Sequence, residues 1–168
     1  MKKILILGNS GSGKSTFAIN LSKHLNIKCL HLDKLVYPDS WDKPEHQNME
    51  KEVSLFVNDD SWIIDGNYLN HALERFDLCD TIFFLDINRF VCLHSVVSRK
   101  RKYQGKDRVS RSSKVDEKLN RSFLNWVFFG FYATSRKKIK KLLKETNKKV
   151  VILKSRKQVN KYLEELNK

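Results

Sequence analysis

Near its start the chain reads Gly8-Asn9-Ser10-Gly11-Ser12-Gly13-Lys14-Ser15-Thr16, which fits the pattern G-x-x-x-x-G-K-S/T. The apolar run Lys3–Leu7 precedes this stretch, and residues 14–25 follow it with helical apolar spacing. Glycines let a backbone curl until successive N–H groups point at one anion, and the start of a helix adds partial positive charge there. A strand, this loop and a helix in succession therefore predict a phosphate-binding loop (P-loop) in an α/β fold.

Each position of the loop has an expected role toward ATP and Mg²⁺, the two cofactors that the pattern predicts. Lys14 is expected to reach the β- and γ-phosphates, and the Ser15 hydroxyl to ligate the metal. The predicted nucleotide-binding residues are Gly8, Ser10, Gly11, Ser12, Gly13, Lys14, Ser15 and Thr16. The alternative is a chance glycine-rich turn, which the flanking strand and helix patterns disfavour.

Apolar runs alternate with helical patterns along the rest of the chain, which predicts a parallel sheet with covering helices. The predicted strands are Lys3–Leu7, Lys28–Leu32, Trp62–Asp65, Thr81–Asp86 and Lys149–Leu153. The predicted helices are about 14–25, 44–58, 68–76, 88–103, 115–145 and 156–167. The strand runs are continuous, as expected of strands that are buried on both faces. A length of 168 residues fits one domain spanning 1–168.

Charge is distributed unevenly: residues 1–98 hold 10 basic and 13 acidic side chains, whereas residues 99–168 hold 23 and 6. A basic half of this size calls for an anionic partner or a structural explanation. The three cysteines form no disulfide or metal motif, which favours reduced thiols and a cytoplasmic location. No apolar run approaches the length of a membrane helix, so no membrane partner is expected.

Two acidic residues stand at the ends of predicted strands, where parallel α/β sheets bind their ligands. Asp65 suits a magnesium ligand or a holder of the metal's water. Asp33 suits an acceptor for a substrate hydroxyl or a general base. The alternative for each is a turn or a helix cap. For Asp86, at the end of the fourth strand, we favour a cap of the helix that begins near Asn88.

The P-loop and several later segments together resemble the FlaR-type DNA topology modulation proteins, small bacterial P-loop proteins akin to adenylate kinase. The resemblance lies in residues 31–35, 61–68 and 80–86, and continues through 92–93, 99–103 and 151–157. It implies a P-loop NTPase three-layer sandwich whose five-stranded parallel sheet has the order 2-3-1-4-5. It also implies a lid like that of adenylate kinase, which maps onto the mobile basic segment at about 100–118.

The same resemblance implies roles for individual residues. Asp65 would lie near Mg²⁺, and Arg156, after the fifth strand, would lie near the adenine. Arginines of the lid would grip the transferring phosphates, which points to Arg99 and Arg108 as catalytic residues beside Lys14 and Asp33.

These observations leave two hypotheses. The first is a kinase that passes the γ-phosphoryl group of ATP to a small acceptor, a nucleotide or a nucleoside, with Asp33 orienting that acceptor. The second is a nucleotide-regulated nucleic-acid-binding protein that acts on DNA topology.

Three further patterns bear on partners. The basic run 136–144 has the apolar spacing of an amphipathic helix, so we interpret its charges as a solvated face, with binding of nucleic-acid phosphates or of a membrane surface as the alternatives. The aromatic cluster at 123–132 fits packing onto the sheet, or stacking on bases. Tyr37–Trp41 is placed to line an acceptor pocket, and packing in the core or at its rim is the alternative for these aromatic residues. Among the histidines, we expect His31 to be packed in a strand and the others to lack a partner pattern.

Overall fold

A computed structural model of the protein describes residues 1–38, 44–103 and 119–166. Five parallel strands form one sheet: β1 Lys3–Gly8, β2 Cys29–His31, β3 Trp62–Asp65, β4 Thr81–Leu85 and β5 Lys149–Leu153. Their order across the sheet is β2-β3-β1-β4-β5, as the resemblance implied.

Helices connect the strands on both sides of the sheet. They are α1 Lys14–Leu25, α2 Leu32–Val36, α3 His46–Phe56, α4 Glu74–Leu78, α5 Arg89–Tyr103, α6 Arg121–Asn125, α7 Phe131–Ala133, α8 Ser135–Glu145 and α9 Arg156–Glu165, with a π-helical turn at Trp126–Gly130. Among the described residues, no helix is long and apolar enough to cross a bilayer.

Alternation along the central strands divides the core into two layers. Ile4 and Ile6 pack with apolar residues of α1, α5 and α9 on one face of the sheet. Leu5 and Leu7 pack with residues of α2, α3 and α8 on the other face. Because successive strand side chains point to opposite faces, a continuous apolar strand must be covered on both sides. The result is the expected three-layer sandwich.

The edge strands depart from the expected burial on both faces. Ile152 of the edge strand β5 is 43% exposed, so one face of this strand is only partly covered. At the other edge, β2 ends at His31, and residues 32–36 form the short helix α2 instead of continuing the strand.

Two predicted helices are also wrong in extent. Most of the stretch 68–76 is loop, and α4 begins only at Glu74. The long helix that was expected over 115–145 is interrupted by the π-helical turn, and its first four residues lie outside the described residues. Gly130 ends that turn, where a β-carbon would come within 2.8 Å of the Trp126 ring. Gly130 therefore lies at the end of the break in this helix.

Candidate active site

The P-loop joins β1 to α1 and turns its backbone toward the carboxyl edge of the sheet. The Ser12 N–H donates to the Asn9 carbonyl at 3.1 Å, which closes the loop on itself. Gly13 is the N-cap residue of α1 and has a φ of 91°, in the left-handed region. Because glycine has no side chain, no side chain caps the first turn of the helix. That turn also contains no acidic residue. The first N–H groups of α1 are therefore met by neither a capping side chain nor an acidic residue, which favours an anion there, and Lys14, 8% exposed, begins the helix.

Arg156, the first residue of α9, lies against this loop. Its Nη2 donates to the Gly11 carbonyl at 2.9 Å and to the Ser95 hydroxyl at 3.1 Å. Its Nη1 would lie 2.6 Å from a β-carbon at Gly13, so only glycine accommodates both the guanidinium and the positive φ. Arg156 therefore lies against Gly11 and Gly13 of the P-loop, and its contact with adenine stays a prediction.

Three buried polar atoms near the end of β1 and the end of β3 have no hydrogen-bond partner among the described residues. They are the Oδ1 atoms of Asn9 and Asp65 and the Oγ of Ser12. Unpaired buried oxygens are costly, and they are expected where a ligand, an ion or a water completes a site. The unpaired carboxylate oxygen of Asp65 fits the hard-oxygen preference of Mg²⁺.

The second oxygen of Asp65 is held by His31. The Asp65 Oδ2 lies 2.9 Å from the His31 Nδ1, and both side chains are buried. The two residues are register partners at the ends of the neighbouring strands β3 and β2. On the other side of the ring, the Cys29 Sγ lies 3.8 Å from the His31 Nε2. His31 therefore fixes the orientation of the Asp65 carboxylate, a role that the expectation of simple strand packing missed.

Asp33 lies in the first turn of α2, and its Oδ1 accepts a hydrogen bond from the Tyr68 hydroxyl at 2.8 Å. It is therefore neither a cap nor a turn former. Burial, and then the neighbouring Asp33 carboxylate, raise the pKa of Tyr68 far above its ordinary value. Tyr68 stays protonated and donates, so Asp33 keeps its second oxygen for another partner.

A cavity of about 390 Å³ joins the P-loop to these acidic and aromatic residues. Its walls come from the loop, from α2, from the chain after β3 and from the segment α6–α8. The lining residues are Ser10, Lys14, Asp33, Tyr37, Asn67, Tyr68, Leu69, Asn70, Phe123, Trp126, Thr134, Ser135 and Lys138. The volume suits a small molecule, and the lining combines aromatic rings with a few polar groups.

Aromatic residues form one wall of the cavity. Phe123 and Trp126 are near-parallel, with ring centroids 6.5 Å apart, and both line it, as does Tyr37. The favoured interpretation of the 123–132 cluster as packing on the sheet is correct for the buried Phe131 and for Phe123, which packs against the core, whereas Trp126 is 37% exposed. Trp41, the other end of the predicted pocket segment, lies outside the described residues.

Asp86 is not the cap that we expected. Its carboxylate receives two hydrogen bonds from Arg136, at 2.6 and 2.8 Å, and lies 3.7 Å from the Lys140 ammonium. The cap at the start of α5 is Asn88, whose Oδ1 accepts from the Phe90 N–H at 2.9 Å. Two cations of the basic run thus neutralise a buried acid instead of facing only solvent. A third, Lys138, lines the cavity.

The predicted lid residues are only partly described. Arg99 lies on α5 and is not among the residues that line the cavity. Arg108 and the segment 104–118 lie outside the described residues.

A histidine pair was also missed. His46 and His71 stack with centroids 4.3 Å apart, and the His71 Nδ1 lies 2.8 Å from a Glu50 oxygen. The two histidines are 25 positions apart and come from different elements, so no spacing in the sequence indicated their contact.

Comparison with known proteins supports the fold. No protein-family model matches the chain. It is similar to the uncharacterized protein YqaC of Bacillus subtilis (strain 168), with 28% identity over 131 residues, 75% of this chain and 71% of that protein. Among solved structures, shikimate kinase from Bacteroides thetaiotaomicron aligns with a TM-score of 0.58 and 14% identity, over 98% of this chain and 95% of that one.

A second solved structure gives the same result. Deoxyadenosine kinase from M. mycoides, with dCMP and dCDP bound, aligns with a TM-score of 0.54 and 16% identity, over 98% of this chain and 97% of that one. The chain has the fold of a P-loop kinase. The resemblance to FlaR-type proteins is supported at the level of this fold, and the family itself is not confirmed.

Proposed function

We propose that the protein is an ATP-dependent phosphotransferase that passes the γ-phosphoryl group to a hydroxyl of a small acceptor, a nucleotide or a nucleoside. The single observation that carries this proposal is the shared cavity, which has Lys14 of the P-loop and Asp33 of α2 in one lining. The phosphate-binding loop and the Asp33 carboxylate face the same small cavity, which can therefore hold ATP phosphates beside an acceptor. The two matched kinases, both named for small molecules, support this proposal.

In the proposed reaction, the acceptor oxygen forms a bond to the γ-phosphorus, and the bond from that phosphorus to the β–γ bridging oxygen breaks. ADP leaves, and the hydroxyl proton moves to Asp33. Lys14 stabilises the charge that spreads over the transferring group. Tyr68 holds Asp33 in place through the 2.8 Å hydrogen bond and leaves one carboxylate oxygen for the acceptor.

Ser15 and Asp65 would hold Mg²⁺, which when bound neutralises phosphate charge. His31 restricts Asp65 so that the unpaired Oδ1 faces away from the ring. The backbone and side chains of the other P-loop residues would cradle the phosphates, with Arg156 beside them. The resemblance implies that Arg99 and Arg108 also contact the transferring group, and Arg108 lies outside the described residues.

An acceptor screen tests the proposal. Purified protein is incubated with γ-labelled ATP, Mg²⁺ and single nucleosides, nucleoside monophosphates or small hydroxylated acids, and labelled product is separated from phosphate. We expect one class to be phosphorylated well above the rate of ATP hydrolysis, and the activity to be lost in Lys14→Ala. If no compound is phosphorylated faster than ATP is hydrolysed, the proposal is wrong.

Among the described residues, no observation favours the nucleic-acid alternative. In the basic run, Arg136 and Lys140 are paired with Asp86, and Lys138 lines the cavity, so part of its charge has a local use. The comparisons give no support to a nucleic-acid partner. A cytoplasmic location fits a consumer of ATP whose three cysteines are free thiols.

A further inference from the structure

Arg75 of α4 is a charged side chain with none of its surface exposed. Burial lowers its pKa to about 10, so the guanidinium remains charged at neutral pH. Its Nη2 donates to two consecutive backbone carbonyls, those of Asn67 at 2.5 Å and Tyr68 at 3.1 Å. Its Nε and Nη1 have no hydrogen-bond partner among the described residues. A buried cation is expensive, and apolar packing would stabilise a fold better, so its retention calls for a local explanation.

The first residue that Arg75 holds is bonded to the P-loop. The Asn67 side-chain amide accepts from the Gly8 N–H at 3.0 Å and donates to the Gly8 carbonyl at 2.9 Å. The last register pair of β1 and β3 is Ile6 with Asp65, so this amide continues the pairing beyond the end of the strands. Asn67 thereby sets the position at which the phosphate loop leaves the sheet.

The second residue that Arg75 holds is bonded to the acceptor side. Tyr68 has a φ of 29°, in the left-handed region that bulky residues rarely adopt. Such a conformation persists only where its surroundings impose it. The hydrogen bond from Arg75 to the Tyr68 carbonyl helps to impose it, and the same residue's hydroxyl reaches Asp33 at 2.8 Å.

We propose that Arg75 is a positioning residue that sets the P-loop and Asp33 relative to each other. One guanidinium group fixes the dipeptide Asn67-Tyr68, of which one side chain holds Gly8 and the other holds Asp33. The acceptor half of this inference rests on the proposed function, whereas the nucleotide half does not. Arg75 touches neither substrate in this arrangement, so its effect passes entirely through the two side chains.

We call the contacts from Arg75 through Asn67 to Gly8 the nucleotide limb, and those from Arg75 through Tyr68 to Asp33 the acceptor limb. Variants of the two limbs distinguish a positioning role from a role in general stability. The nucleotide limb is measured as the Kd of a fluorescent N-methylanthraniloyl-ATP, which needs no acceptor. The acceptor limb is measured as kcat with the compound that the acceptor screen labels best. We expect Asn67→Ala to weaken nucleotide binding about tenfold with kcat at saturating ATP nearly unchanged. Tyr68→Phe should lower kcat about tenfold and leave the Kd unchanged.

Arg75→Lys keeps the charge but loses the planar group that reaches both carbonyls. We expect it to show both losses, and to add little to the Kd in an Asn67→Ala background because both changes remove the same restraint. Arg136→Lys, which alters another paired arginine, and Tyr162→Phe, on the opposite face of the sheet, are the matched controls and should keep both values.

Three results would overturn the inference: a folded Arg75→Lys with wild-type Kd and kcat, additive effects with Asn67→Ala, or single-limb variants that each change both quantities. If Arg75→Lys does not fold, Arg75→Gln and the two single-limb variants decide on the same criteria. If the acceptor screen fails, the Kd measurements still test the nucleotide limb, so failure of the proposed function is distinguishable from failure of this inference.

Discussion

The side-chain amide of Asn9 donates to the backbone carbonyl of Val127, 118 positions later in the chain, at 2.7 Å. Asn9 is the second residue of the P-loop, and Val127 lies in the π-helical turn that also carries Trp126. π-Helical turns are rare and frequently lie at functional sites, and Asn9 bonds the backbone of this one. This hydrogen bond joins the phosphate loop to the aromatic wall of the cavity.

Loss of that hydrogen bond should therefore destabilise the protein. Asn9→Ala removes the hydrogen bond from this side chain to the buried Val127 carbonyl, which costs about 1 kcal/mol in the free energy of unfolding. Urea denaturation followed by circular dichroism measures this value. Asn125→Ala, an exposed position directly before the turn, should cost less than about 0.5 kcal/mol. Equal costs for the two variants would show that the Asn9 contact does not stabilise the turn.

Lys14 should be required for turnover and not for folding. The side chain begins α1 and lines the cavity, where its charge can stabilise a transferring phosphoryl group. We expect Lys14→Ala to lower the rate of phosphoryl transfer by about 100-fold or more, as is typical of a lost electrostatic contact. Lys23→Ala, exposed on the same helix, is the control. A Lys14→Ala protein with normal turnover contradicts the P-loop assignment.

Asp33→Asn should affect the acceptor step alone. Loss of a positioned base lowers kcat by about 100- to 10,000-fold. The affinity for a fluorescent ATP analogue should not change, because no described hydrogen bond links Asp33 to the P-loop except through the Tyr68 and Asn67 segment. The exposed Asp60→Asn is the control, and steady-state kinetics with the screened acceptor gives both values. Unchanged kcat in Asp33→Asn would exclude a role for this carboxylate in proton transfer.

The strands of the sheet could be predicted from local patterns in the sequence. Continuous apolar runs and the glycine-rich loop located the strands within one or two residues, because burial on both faces leaves a strong signal in a short segment. The carboxyl-edge rule likewise placed Asp33 and Asp65 at the cavity or beside it. These inferences need only the residue itself and its neighbours in the chain.

Contacts between distant segments were beyond such patterns. The pairing of Asp86 with Arg136 spans 50 positions, and nothing near Asp86 distinguishes an ion-pair acid from a helix cap. The contact of His31 with Asp65 could have been predicted, because adjacent parallel strands align their last residues at one edge of the sheet. The backbone of the π-helical turn accepts a hydrogen bond from Asn9, 118 positions away, and helical periodicity alone did not predict that contact.

Alkaline pH should destabilise the fold through its buried thiols. Burial raises the pKa of Cys79 and of Cys92 to about 11, from an ordinary value of 9.0. Above pH 9 the unfolded chain loses these protons while the folded chain keeps them, so the stability they contribute is complete below pH 9 and is lost as the pH rises through 11.

The variant Cys79→Ala removes one of these groups. We expect its free energy of unfolding to fall less steeply than that of the wild type between pH 9 and 11, by about one bound proton in the linkage slope. Urea titrations at fixed pH values measure both slopes, and the two proteins should show parallel pH dependence between pH 7 and 8.5. Identical slopes above pH 9 would mean that the Cys79 thiol is accessible to solvent in the folded protein.

Two neighbouring aromatic residues in the π-helical turn offer a matched test of the cavity wall. Trp126 lines the cavity beside Phe123, whereas Phe129 is 57% exposed and does not line it. If the acceptor carries a flat ring, stacking on Trp126 contributes about 1–3 kcal/mol to its binding. Trp126→Ala should then raise the acceptor KM by tenfold or more, while Phe129→Ala, which removes a similar ring from the same turn, should leave it within about twofold. The KM for ATP should stay constant in both variants. A normal acceptor KM in Trp126→Ala would place the acceptor against the polar lining near Lys138 instead of the aromatic wall.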